Sequence, residues 1–112
     1  MAQYYDIQKQ KNLIDSKASL SQYIKNLLLD EYKIYEISQK KGELIPYHAH
    51  SYHELIIVLE GKLRLIIEED IIDLTEGDFL TIEPWAIHLL SFPEKNAKFY
   101  LCFHPKKKNK QI

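Results

Sequence analysis

The 112-residue chain predicts an all-β fold, a barrel or sandwich of short strands. Three observations carry that prediction. Leu63, Leu65 and Ile67 alternate with Lys62, Arg64 and Glu68, the period of a strand with one face buried. Apolar and β-branched runs recur at 55–60, 71–74, 79–82, 86–92 and 98–103. Turn-forming breaks separate them, at Gly61, at Glu68-Glu69-Asp70 and at Thr75-Glu76-Gly77-Asp78.

Taken in order, residues 1–19 are polar with scattered apolar positions and form an arm available to pair with the sheet or a partner subunit. Ser19 to Asp30 supports two readings. Leu20, Tyr23, Ile24, Leu27 and Leu28 are spaced as on a helix behind a serine cap, whereas a strand there would pair across Asp30-Glu31 with Tyr32 to Ser38, where apolar and polar residues partly alternate. Further on, Gly61 is expected to turn the chain between residues 55–60 and the alternating strand after it, making a hairpin. The domain proper is placed at 20–104, and 105–112 is a basic tail, read as a solvated end.

Composition narrows the function classes. A chain of this length builds one domain, and a formal net charge of -1 exerts no global pull on nucleic acid or anionic membrane. No apolar run approaches the ~18 residues of a membrane span, and the N-terminus has no basic region leading into an apolar core, so a cytoplasmic location is expected. Cys102 is the sole cysteine, which excludes an internal disulfide and reads as a small buried hydrophobe. The lysines at 106, 107, 108 and 110 lack interleaved aromatics and no recognition helix is evident, so nucleic acid is not an expected partner.

The chemistry-bearing stretch runs from Gly42 to Gly61. His48, His50 and Glu54 share one parity in an extended strand and can point to the same side, and His88, from another strand, can complete a set of four. Imidazole and carboxylate together suit one divalent transition metal ion: iron, manganese, nickel, copper or zinc. The alternative is a small-molecule pocket whose histidines are satisfied by hydrogen bonds. His53 has the opposite parity and is assigned to the surface.

These positions carry a family resemblance. Gly42, five residues, His48-x-His50, three residues, Glu54, six residues and Gly61 match the first cupin motif at every fixed position, and Gly77-Asp78 through His88 resembles the second. Glu83 and Trp85 stand where that motif usually has proline and glycine, and Phe92 where an asparagine is common, so the motif leaves the turn before His88 unspecified. The resemblance, over residues 20 to 104, implies a double-stranded β-helix, a jelly-roll β-barrel, with a metal on His48, His50, Glu54 and His88. It also favours the strand reading of 19–30. Residues 45–61 with Gly77-Asp78-Phe79 are similar, too, to the sensor domains of AraC-type regulators, which implies effector binding; the helix-turn-helix pair of such regulators has no room here.

With the ligands facing the lumen, Ile56 and Val58 continue on that face and Leu55, Ile57 and Leu59 point outward. Three exposed aliphatics in a row need cover from the arm, another sheet or a second subunit, and a homodimer is expected. Tyr47, Tyr52 and Trp85 are the candidates for lining the pocket, with Tyr52 or Tyr47 placed to donate a proton. In the last strand Tyr100, Cys102 and His104 share one face and Phe99, Leu101 and Phe103 the other, with either face able to point inward. The function expected is that of a metal-binding cupin, either a metal-dependent enzyme of the dioxygenase or isomerase class acting on a small molecule, or a non-catalytic effector-binding sensor module.

Overall fold

The computed structural model describes residues 5–9 and 17–108. Among them are eight strands and one helix: β1 (Tyr5–Lys9), α1 (Lys17–Leu29), β2 (Lys33–Gln39), β3 (Leu44–His48), β4 (Tyr52–Ile67), β5 (Asp70–Thr75), β6 (Asp78–Ile82), β7 (His88–Ser91) and β8 (Ala97–Lys108). The all-β expectation holds, as a curled sheet closed around a core of aliphatic and phenylalanine side chains.

β4 joins the two walls. Its first half pairs antiparallel with β6 and β8, and its second half with β5 and β7. β8 carries β2 on its other side, β6 carries β1, and β7 carries β3. The arm therefore does pair with the sheet, through β1. The expected hairpin at Gly61 does not form, because the strand continues through that residue for 16 residues in all. Gly61 instead makes a corner beside a register shift between Val58 and Glu60. Its φ is +82°, and a Cβ there would collide with the carbonyl oxygen of Asn96, so both the bend and the close approach require glycine. The hairpin lies one break later, where Glu68 at φ +50° turns β4 into β5.

Residues 17–29 are helical, which overturns the strand reading. The periodicity of Tyr23, Ile24 and Leu27 prevails over the family analogy because those side chains close over Leu55, Ile57 and Cys102. The C-terminus ends in a Schellman motif: Tyr32 N–H donates to Leu27 O at 2.9 Å, Glu31 N–H donates to Leu28 O at 3.0 Å, and Glu31 takes φ +68°. The pairing expected across Asp30-Glu31 is also absent, and β2 pairs with β8.

The outward row is thus buried by the chain itself. Leu55 and Ile57 are 8% and 1% exposed beneath α1, while Leu59 is half-buried against the same cluster. The row that suggested a second subunit is covered within one chain. β8 settles its own orientation: Phe99 is in the barrel core with Leu101 packed against it, and Tyr100 and Cys102 face α1. β8 runs to Lys108, so the start of the segment expected to be a solvated tail is strand, and 109–112 lie outside the described residues. Among the described residues no helix is long and apolar enough to cross a membrane.

Candidate metal centre

Strand pairing assembles the site at one end of the barrel. β3 and β7 are antiparallel with His48 opposite His88, so the last residue of one strand faces the first of the other. His50 sits in the short link to β4, and Glu54, the third residue of β4, pairs with Ile82 on one side and Phe103 on the other. One ligand atom from each of His48, His50, Glu54 and His88 lies within 4.8 Å of all the others. Glu54 and His88 are buried, at 3% and 0% exposure, and His48 and His50 are half-buried at the mouth.

Each ring is oriented by a backbone carbonyl. His48 Nδ1 donates to Pro46 O and His88 Nδ1 to Ala86 O, both at 2.8 Å, and His50 Nδ1 donates to Tyr52 O at 3.3 Å. A carbonyl only accepts, so the Nδ1 atoms carry the protons and the Nε2 atoms are left to the centre. His50 Nε2 and His88 Nε2 meet Glu54 Oε1 at 3.1 and 3.0 Å. Metal bonds of ~2.1 Å put donor atoms that share one ion about 3 to 4 Å apart, so with modest closure the four side chains would be able to hold a single ion between them.

Charge in the cluster is set by those contacts. Burial by itself would push the Glu54 carboxyl up, but hydrogen bonds from His50 and His88 outweigh it and hold it at about 2. The same bond to Glu54 raises His50, against the opposing effect of its burial. The Glu54 carboxylate is therefore ionised near neutral pH, and any proton it shares with the His50 Nε2 is one that a cation must displace.

The three pocket candidates part company. Tyr52 joins the cluster, its ring stacked on His50 at 4.5 Å and 6°. Trp85 and Tyr47 have exposed side chains, and Trp85 reaches the site through its backbone, its N–H donating to His50 O at 2.7 Å. Trp85 stands where the motif has glycine and adopts φ +66°, a glycine-like conformation. His53, off the ligand face as expected, pairs with Glu83 at 3.2 Å. Sequence reasoning missed Phe103, which stacks on Tyr52 at 4.6 Å. The alternation of β8 put it on one of two faces, and nothing in the sequence said which pointed inward.

A small jelly-roll with an internal histidine and glutamate cluster at one end defines the class of this protein. The chain belongs to the cupin family, whose cupin-domain model matches residues 35–104 and so begins after α1. No curated protein sequence matches. Among solved structures, an RmlC-like cupin from Shewanella frigidimarina is 26% identical with TM-score 0.62, over 66% of this chain and 66% of that one. A cupin superfamily protein from Desulfitobacterium hafniense is 20% identical with TM-score 0.62, over 65% of this chain and 66% of that one. The DMSP lyase DddQ from Ruegeria pomeroyi is 17% identical with TM-score 0.63, over 67% of this chain but only 39% of the lyase. The chain thus spans about two thirds of the first two proteins and well under half of the lyase.

Proposed function

We propose that this chain binds one divalent transition metal ion through His48, His50, Glu54 and His88 and acts as a metal-dependent enzyme, of the dioxygenase or isomerase class, on a small molecule. The observation that carries the proposal is the convergence of three carbonyl-oriented imidazoles on one buried carboxylate, with donor atoms within 4.8 Å. A bound ion supplies a Lewis acid that stabilises negative charge on a coordinated oxygen.

The chain's own residues do the rest. Glu54, ionised down to about 2, offers a permanent anionic donor at neutral pH. The Tyr52 phenol is raised by partial burial and then by the Glu54 charge, so it stays protonated at neutral pH beside the cluster and can donate a proton to a bound molecule. That one neighbour of the same fold is a lyase agrees with a catalytic use of the barrel.

Elemental analysis of protein purified without chelator or metal-binding tag, beside a His50→Ala variant, tests the proposal. Near one equivalent of iron, manganese, nickel, copper or zinc, lost in the variant, is the expected result. No metal in either protein overturns it and leaves the effector-binding module as the reading to pursue.

A further inference from the structure

His50 is held less firmly by the backbone than the other two imidazoles. His48 and His88 each donate to a carbonyl two residues earlier at 2.8 Å, while His50 donates to one two residues later at 3.3 Å, near the limit of a hydrogen bond. His88 is in addition fully buried, whereas the His50 side chain is partly exposed. Something else must fix the His50 ring if Nε2 is to stay on Glu54.

The geometry points to Tyr52 as the positioning residue of this centre. It touches His50 twice, through its carbonyl and through its ring, which lies parallel to the imidazole at 4.5 Å and 6°. The Tyr52 ring is backed in turn by Phe103 at 4.6 Å and 22°, and Phe103 by Tyr35 at 6.0 Å and 21°. Offset stacks of this kind contribute beyond the area they bury and restrict rotation about χ2, which here is the rotation that would swing Nε2 off the cluster. Three aromatic rings from β2, β4 and β8 form a buttress behind one ligand, tying its orientation to the sheet.

The role needs the ring and not the hydroxyl, so Tyr52→Phe and Tyr52→Leu separate it from proton donation. The inference rests on the metal-binding reading above. The experiment is competition of Co(II) and Zn(II) against a chromophoric chelator, with the visible spectrum of the Co(II)-loaded protein recorded for wild type, both Tyr52 variants and Phe103→Leu. Wild-type affinity and spectrum in Tyr52→Phe, a loss of roughly 10-fold or more with an altered spectrum in Tyr52→Leu, and a smaller loss in Phe103→Leu are expected. Tyr52→Leu binding Co(II) as wild type does, with the same spectrum, overturns the role while leaving metal binding intact. If Tyr52→Leu does not fold, an unchanged affinity and spectrum in Phe103→Leu overturns it. A wild-type protein that takes up neither ion removes both the buttress role and the metal reading.

Discussion

Two acidic groups lie back to back across one layer of sheet and are driven in opposite directions. Glu54 points into the barrel, and its neighbour Leu55 points out, opposite Cys102 on β8. Both acids are deeply buried. Glu54 is held at about 2, while burial pushes the Cys102 thiol up to about 12, with the Glu54 charge adding to the rise. Tyr23, on α1 in the same outer cluster, is pushed to about 12 by burial first and by Cys102 and Tyr32 after it. Burial opposes ionisation on both faces. What differs is the neighbours: two imidazoles aim at Glu54, while Cys102 sits in a cluster of aliphatic and aromatic side chains. One face of β4 is built to keep a charge and the other to exclude one.

The strongest way to break this contrast is to remove the charge. Glu54→Ala deletes an anionic donor and is expected to weaken metal binding by more than the ~100-fold that changes behind the ligands produce, as read by calorimetric titration. Ile57→Ala attacks the other face. It opens a cavity under α1 and is expected to cost about 2–5 kcal/mol in urea unfolding while the metal stoichiometry of the folded protein stays unchanged. A loss of metal in Ile57→Ala at full folding would show that the two faces are not independent.

The pH dependence follows from the shifts at the centre. Glu54 is lowered from 4.5 to about 2, so its contribution to the metal-free fold is present above 4.5 and fades as pH falls toward 2. His50 is raised above 6.5, so its contribution is present below 6.5 and is lost as pH rises through the folded value. For these two groups the metal-free protein is best stabilised between those ordinary values, 4.5 and 6.5, and Glu54→Gln is expected to flatten the fall of a thermal-midpoint profile on either side of that range, below 4.5 and above 6.5. Metal affinity runs the other way, rising with pH until His50 has lost its proton, by about tenfold per unit for each proton displaced. An affinity flat from pH 6 to 8 would mean that His50 carries no proton for the metal to displace.

Legibility differed between the two faces for a physical reason. The inner face was readable because chemistry constrains it at single residues: His48, His50, Glu54 and His88 are unusual side chains at fixed spacing, although the single strand assumed for the first three is interrupted at 49–51 and it is the β3–β7 pairing that brings in His88. The outer face was half readable. Leu55 and Ile57 showed that cover was needed, but the cover came from α1, whose moderate amphipathicity allowed a strand reading until its partner surface was known. Gly61 marked an irregularity without saying whether the chain reverses or bends. That choice depends on Asn96, a residue 35 positions away that approaches its α-carbon. Local signals name the special positions, and contacts distant in sequence decide what is done there.

The smallest effect concerns a residue that touches the polar face only through its backbone. Trp85 holds φ +66°, a conformation that costs a side-chain-bearing residue roughly 1–2 kcal/mol, and its N–H donates to the carbonyl of His50. The amide that serves the ligand is common to every residue but proline, so the indole is not needed for that bond. Trp85→Gly is expected to leave metal affinity within about twofold of wild type and to raise stability by about 1 kcal/mol in urea unfolding, the relief of the strained φ exceeding the entropy that glycine loses on folding. A destabilised Trp85→Gly would show that the exposed indole packs to more advantage than its 61% exposure suggests. A stabilised variant that keeps its metal but binds or turns over a small molecule more weakly would give the reason for retaining a tryptophan in a glycine's conformation: the strain is kept for an aromatic surface at the mouth of the centre, where it meets the ligand and not the metal.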